Sequence, residues 1–179
     1  MPNGNLREHL SDVNQNILSW EDRLRIAMEA AQGLEYLHNG CTPGYLDPEL
    51  TEKSDVYSFG VVLLEIITCR PIITRTNERT HISQWVSFML AKGDIQNIVD
   101  TRLRGNFNIN SVWKAVEIAM ACVSPTSAKR PTMSPVVVEL KECLTIELAC
   151  TKEDHDGEST DSIKMIDINL TTELCPLGR

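Results

Sequence analysis

SDVYSFGVVLLEIIT, residues 54–68, is apolar on nearly every side of a helix. Its large apolar residues are too numerous to form a single stripe: Val56, Phe59, Val61, Val62, Leu63, Leu64, Ile66 and Ile67. A helix of this kind is typical of the centre of a protein core. We therefore predict a buried helix that begins at Ser54 or Asp55, ends at Thr68 and has other helices packed around it.

Four further stretches have apolar residues at helical spacing. The first follows Ser19, which can cap it with Asp22 three residues on, and Gly40 can close it. Its apolar stripe is Leu24, Met28, Ala31, Leu34 and Leu37. The other three are residues 82–92, 111–122 and 134 to about 148. Because strand-like alternation is scarce, the predicted fold class is mostly α.

The charge and cysteine content exclude several function classes. The chain has 25 Asp and Glu against 17 Lys and Arg, a net charge of −8, which is the wrong sign for a nucleic-acid partner. Six widely spaced cysteines without a Cys-x-x-Cys pair predict reduced thiols in a cytoplasmic protein and no zinc site. The N-terminus lacks an apolar signal core. The longest apolar run, residues 59–64, is far shorter than the roughly 20 residues that span a bilayer, so we expect no direct membrane insertion.

The composition changes near residue 148. Residues 151–179 contain seven acidic and three basic residues, which account for half of the net charge. A polar, acidic segment of this kind cannot bury enough apolar surface to offset its ordering entropy. We predict a folded domain over residues 1–148 and a disordered acidic tail over residues 149–179.

Three motifs resemble the later half of a protein kinase domain, and more narrowly that of plant receptor-like serine/threonine kinases: GYLDPE (44–49), KSDVYSFGV (53–61) and KRPTM (129–133). Shorter pieces follow in the same order: NGNL (3–6), LSW (18–20), GLEYLH (33–38) and ACV (121–123). The chain's last residues are similar to the tails of members whose ectodomains carry leucine-rich repeats. The resemblance covers roughly residues 1–148. It implies an incomplete, helical kinase C-terminal lobe.

The motifs that perform phosphoryl transfer are missing. Such enzymes need a glycine-rich phosphate loop, a strand lysine, an H-R-D catalytic loop and a metal-binding D-F-G aspartate. The sequence contains no G-x-G-x-x-G, V-A-I-K, H-R-D or D-F-G. The resemblance places Met1 at the hinge between the lobes, so we expect no N-terminal lobe. We also expect no cofactor, although intact members use ATP and magnesium.

A second gap lies inside the chain, between Cys41 and Thr42. Intact members carry their catalytic loop, metal-binding motif and activation segment there, and a smaller deletion follows Glu49. Because a chain spans at most roughly 3.6 Å per residue, Asn39 and Pro43 cannot lie more than about 14 Å apart. We therefore predict that the end of the first long helix unwinds, or that residues 42–49 shift toward it. Two prolines and a glycine predict that this segment is a turn-rich loop with at most one helical turn.

The resemblance also assigns roles to individual residues. Glu49 matches the glutamate of the kinase A-P-E motif, and Arg130 matches the arginine that pairs with it; the alternative is two exposed charges. Asp55 matches an aspartate that holds the catalytic loop, but because that loop is missing we expect it to cap its own helix. The remaining matches belong to a vestigial substrate-side loop: Thr42, Gly44 and Tyr45.

Aromatic side chains and one histidine are interpreted as packing residues. Trp20, Trp85 and Trp113 lie next to apolar stripes, which favours core or rim packing over a ligand cage. His38 has no second histidine or cysteine at ligand spacing, so we expect no metal there.

Three functional hypotheses remain open at this stage. The first is a catalytically inactive, truncated receptor-like kinase that serves as a decoy or scaffold and whose partner is a kinase or a kinase substrate. The second is an active serine/threonine kinase, which would require the missing segments in the real gene product. The third is a non-functional gene fragment that folds poorly because apolar surface is left uncovered.

Overall fold

A computed structural model describes residues 5–11, 17–40, 48–75 and 79–155 of the chain, with the backbone alone at 48–51, 74–75, 79 and 150–155. These residues are mostly α-helical, as the sequence predicts. Two 3₁₀ turns, Thr101–Leu103 and Ser127–Lys129, connect the larger elements. The helices and strands are α1 Leu6–Leu10, α2 Trp20–Gly40, α3 Pro48–Thr68, β1 Ile73–Arg75, β2 Arg79–His81, α4 Ile82–Ala91, α5 Ile109–Cys122 and α6 Met133–His155.

Helix α3 lies at the centre of the core, which confirms the strongest sequence prediction. Leu64 and Ile67 are fully buried, and Val56 and Leu63 nearly so. Val62 is the exception, with 40% of its surface exposed. The helix is longer than predicted, because it begins at Pro48 rather than at Ser54 or Asp55. Proline suits the first helical position, where a backbone N–H has no intrahelical partner.

Helices α2, α5 and α6 complete the main body. Helix α2 packs along α6, and α5 packs against both α3 and α6. Ser19 caps α2 as predicted, because its Oγ accepts a hydrogen bond from the Asp22 backbone N–H at 3.1 Å. The apolar face of α2 is rotated from the prediction. Its buried residues are Trp20, Arg23, Leu24, Ala27 and Ala31.

The predicted apolar stripe of α2 is not fully buried toward the end of the helix. Leu34 is half-buried, and Leu37 is 54% exposed. No element within the described residues covers Leu37, so its apolar spacing does not translate into burial.

A pair of strands and a short helix were not predicted. Strands β1 and β2 form an antiparallel pair in which Ile73 lies opposite His81. Each strand has three residues, too few for an alternating pattern to stand out. Helix α1 has five residues and is held by a capping box between Asn5 and Glu8.

The predicted boundary at residue 148 does not coincide with the end of a helix. Helix α6 continues to His155, so residues 149–155 are helical rather than part of a disordered tail. The rest of the predicted tail, residues 156–179, lies outside the described residues. No helix within the described ranges is long and apolar enough to cross a bilayer.

Candidate functional site

The junction between α2 and α3 is the region where the kinase resemblance places the catalytic loop. Helix α2 is helical through Gly40, and α3 begins at Pro48, so seven residues connect them. The predicted unwinding of α2 is therefore wrong within the described residues. The predicted shift of residues 42–49 remains a prediction, because Thr42, Gly44 and Tyr45 lie outside those residues.

Asp55 does not cap its helix, contrary to the prediction. It is the eighth residue of α3, because the helix begins at Pro48. Its Oδ2 instead lies 3.2 Å from His38 Nε2 near the end of α2. The His38 side chain is 11% exposed, which agrees with its predicted packing role. This contact joins the two helices that the short junction connects.

Arg130 fixes the segment before α6 to helix α3. Its Nη1 donates to the Lys53 carbonyl at 2.9 Å, and its Nε donates to the Ser124 carbonyl at 2.8 Å. Lys53 Nζ donates in return to the Arg130 carbonyl at 2.7 Å. The Arg130 guanidinium also lies 4.8 Å from the centre of the Tyr57 ring, a cation–π distance. Glu49 lies in the first turn of α3, where only the backbone is described, so its pairing with Arg130 stays a prediction.

A buried ion network was missed by the sequence analysis. Arg23 Nη2 donates to Asp100 Oδ2 at 2.6 Å, and Arg102 Nε donates to both Asp100 oxygens at 3.1 Å. Arg23 also donates to the Ile66 carbonyl at 3.0 Å. One feature of the sequence could have indicated this network: Arg23 lies between Trp20 and Ala27 on the apolar face of α2. An arginine on a buried face is rarely found without a charged or polar partner.

The network shifts the ionisation of its members. Burial alone would raise the pKa of Asp100, but hydrogen bonds from Arg102 and Arg23 outweigh it and hold that pKa well below its usual range. The hydrogen bond to Asp100 raises the pKa of Arg102. Burial, reinforced by Asp100, raises the pKa of Cys69 to about 11, so this thiol is protonated at neutral pH. The arrangement is suited to holding elements together rather than to proton transfer.

The predicted packing roles of the three tryptophans are confirmed. Trp20 is buried, and its indole Nε1 donates to Ser111 Oγ at 2.8 Å. Trp85 lies beneath the Arg70 guanidinium at 4.1 Å. Trp113 is 37% exposed, a rim position. Within the described ranges, no three His, Cys, Asp or Glu side chains are grouped as metal ligands.

Comparison with known proteins identifies the class. The family described as protein tyrosine and serine/threonine kinase matches residues 45–140. This chain therefore belongs to the protein kinase family. It is 45% identical over 234 residues to the LRR receptor-like serine/threonine-protein kinase IOS1 of Arabidopsis thaliana, an alignment that covers 100% of this chain and 26% of IOS1. A probable LRR receptor-like kinase of the same plant is 45% identical over 232 residues, with 99% and 26% coverage.

The same comparison shows that this chain is shorter than the matching region of its relatives. The chain spans about a quarter of the length of these relatives. The IOS1 alignment is 234 positions long, whereas this chain has 179 residues, so some 55 positions of the relative have no counterpart here. The chain therefore lacks sequence that the relative carries within the aligned region, and the gap positions, between Cys41 and Thr42 and after Glu49, stay predictions.

A solved structure supports the fold. The structure of an apo pseudokinase superposes with a TM-score of 0.66 and 27% sequence identity. The match covers 80% of this chain and 59% of the pseudokinase chain. The described helices are therefore arranged as in part of a kinase-like domain.

Proposed function

We propose that this chain is a catalytically inactive form of a receptor-like serine/threonine kinase that acts as a decoy or scaffold. It would bind kinases or their substrates through its helical lobe. The observation that carries the proposal is the junction of seven residues between Gly40 and Pro48. This observation is internal to the chain and does not depend on where the sequence begins or ends.

The chemistry of phosphoryl transfer supports inactivity. The reaction requires a catalytic aspartate, an asparagine and a metal-binding aspartate, all held against ATP and magnesium. The connecting residues are CTPGYLD, and their only carboxylate is Asp47. One carboxylate cannot serve both as the catalytic base and as the metal ligand. The chain would therefore position neither the attacking hydroxyl nor the γ-phosphate.

The helical body supports a binding role. Its core closes around α3, and the Arg130 and Arg23 interactions hold its segments in place without the missing catalytic loop. The similarity to a pseudokinase is consistent with a kinase-like fold that does not catalyse. The relatives are receptor-like kinases, which supports a cytoplasmic location and signalling partners for this chain.

Two measurements on the purified full chain test the proposal. Incubation with labelled ATP, magnesium and a general substrate protein should give no incorporation above background, with an intact receptor-like kinase domain as the positive control. Biolayer interferometry should then show saturable binding of that intact domain or of its substrate to the immobilised chain. Specific phosphorylation would contradict inactivity, and a folded chain that binds neither protein would contradict the scaffold role.

The family relationship favours one alternative, an active kinase whose real gene product carries the missing segment. Sequencing the native transcript across the Cys41–Thr42 junction distinguishes the two. An uninterrupted junction supports the inactive form, whereas an inserted catalytic segment would restore the kinase assignment. A non-functional fragment would differ from both, because it would lack a cooperative unfolding transition.

A further inference from the structure

A cavity of about 560 Å³ lies between helix α1 and the last turns of α3. Much of its lining is apolar and half-buried or exposed, from Leu6 and Leu10 on α1 to Val62 on α3 and Ile72 beyond it. Its volume is within the range of sites that bind a ligand or several side chains. The exposed Val62 is the residue that departs from the otherwise buried pattern of α3.

Polar contacts hold the two walls of this cavity together. Arg102 Nη1 donates to the Ser11 carbonyl at 2.8 Å, and its Nη2 donates to the Leu10 carbonyl at 3.2 Å. Arg102 is in turn held by Asp100, and Arg23 links Asp100 to Cys69 on the cavity wall through a 3.2 Å contact with the Cys69 sulfur. The walls of the cavity are therefore held in place by the buried network of Arg23, Asp100 and Arg102.

The rim of the cavity carries net positive charge. Arg7 and Arg70 are exposed among the lining residues, and Glu65 is the one acidic residue with them. Arg70 is held over the Trp85 ring, so its charge has a defined position. Such a site suits an apolar segment that carries an acidic residue.

The chain itself supplies a segment of this composition. Residues 165–170, MIDINL, contain four large apolar residues and Asp167. The 24 residues that follow His155 contain five acidic and two basic residues. We propose that residues 165–170 dock, within the same chain, into the cavity between α1 and α3. This proposal concerns an intramolecular contact and stands independently of the proposed function.

Buried contacts link the helix that carries the tail to the cavity wall. Glu147 on α6 accepts a hydrogen bond from Ser111, which also accepts from Trp20 at the start of α2. Arg23, one turn further along α2, contacts the cavity wall at Cys69. Helix α6 extends eight residues, about 12 Å, past Glu147. The ten residues from His155 to Met165 span up to roughly 36 Å, about three times the distance by which α6 extends past Glu147.

Hydrogen exchange of the full chain provides the test. Tethering gives the tail an effective concentration in the millimolar range, so docking should slow amide exchange in residues 5–11 by about tenfold. The tail variant Ile166→Ser/Ile168→Ser should lose this protection. The control variant Ser159→Ala/Ser162→Ala should keep it. Equal exchange in the wild type and in Ile166→Ser/Ile168→Ser would overturn the proposal.

A charge exchange tests the polar part of the contact. Arg7→Glu and Asp167→Arg should each reduce the protection, and the double variant should restore it because the opposite charges are again paired. Failure of the double variant to recover any protection would contradict the pairing of Arg7 with Asp167.

A synthetic peptide and a dilution series distinguish the chain's own tail from other occupants of the cavity. A synthetic peptide of residues 160–175 should bind the Ile166→Ser/Ile168→Ser chain and restore slow exchange, and absence of binding would refute the site. Protection that declines on dilution, together with a dimer in light scattering, would show that the tail of a second copy fills the cavity and would overturn the intramolecular contact.

Discussion

Arg23 Nη2 lies 2.6 Å from Asp100 Oδ2, and the two side chains are 0% and 5% exposed. The pair joins α2 to the segment that follows α4, across 77 residues of sequence. Asp100 is shared with Arg102, which holds α1 by its last carbonyls. Three parts of the fold that are distant in sequence therefore depend on one buried carboxylate.

Arg23→Met should destabilise the chain strongly. Asp100 keeps Arg102 as a partner in this variant, but it loses the buried charge-assisted hydrogen bond from Arg23, and the Ile66 carbonyl loses its donor. The loss of hydrogen bonds to a charged group should cost about 1.5–3 kcal/mol of unfolding free energy. Urea denaturation followed by circular dichroism measures the change. The matched control is Arg25→Met on the same helix, whose exposed pair with Glu21 is worth less than about 1 kcal/mol. Equal losses of unfolding free energy in the two variants would show that the buried network stabilises the fold no more than an exposed ion pair does.

Asp100 should make the chain sensitive to acid. Its pKa is held below the usual range in the folded state, so its stabilisation is present above its ordinary pKa near 3.8 and declines as the pH falls below that value. Asp100→Asn should lower stability at pH 7 and flatten the decline between pH 5 and pH 2. Urea midpoints over this range provide the measurement. If the urea midpoint of Asp100→Asn fell as steeply with decreasing pH as that of the wild type, other carboxylates would be responsible for the acid sensitivity.

Buried thiols should make the chain sensitive to alkali. Burial raises the pKa of both Cys122 and Cys143 from 9.0 to about 12. Between these values the unfolded thiols ionise while the folded ones stay protonated, so stability is full below pH 9 and declines as the pH rises. The slope of unfolding free energy against pH from 8 to 10.5 should be smaller in Cys122→Ala/Cys143→Ala. Identical slopes would contradict the prediction.

Two glycine substitutions should have opposite effects. A Cβ at Gly60 would lie 2.5 Å from Cys122 Cβ and 2.9 Å from Val123 Cγ1, so Gly60→Ala forces α3 and α5 apart and should cost about 1–3 kcal/mol. A Cβ at Gly33 on α2 meets nothing within 4 Å, so Gly33→Ala should stabilise by about 0.5–1 kcal/mol. Thermal unfolding of both variants gives the comparison. A neutral Gly60→Ala would show that the two helices can separate freely.

A double-mutant cycle tests the predicted pairing of Glu49 with Arg130. Arg130→Met removes charged hydrogen bonds to the Lys53 and Ser124 carbonyls and should cost about 1.5–3 kcal/mol by itself. If Glu49 also pairs with Arg130, Glu49→Gln should cost much less in the Arg130→Met background than in the wild type. Additive losses in chemical denaturation would refute the pairing and leave Arg130 as a carbonyl-binding residue.

Much of the fold and family could be predicted from local sequence. Residues 54–68 indicate the central helix because they are apolar on nearly every side, and Ser19 with Asp22 marks the start of α2. The motifs around Gly44, Asp55 and Arg130 indicate the kinase family because they occur in the order that the family shows. Each of these features is encoded by a short run of neighbouring residues.

The candidate site was less predictable because its contacts join distant residues. Asp55 reads locally as a cap, yet α3 begins seven residues earlier and brings Asp55 to His38 on the neighbouring helix. Leu37 has helical apolar spacing, but no described element covers it. Local spacing fixes which face a residue shares, whereas burial depends on what packs against that face.

The sequence by itself determined that this chain is a helical member of the kinase family without the motifs of phosphoryl transfer, because motifs and helical periodicity are local properties. Only the tertiary structure decided that Arg23 is buried against Asp100, that Arg102 holds α1, and that a positively rimmed cavity opens beside Val62. The physical reason is that burial and charge pairing arise from packing between elements up to 77 residues apart, and no local pattern specifies that packing.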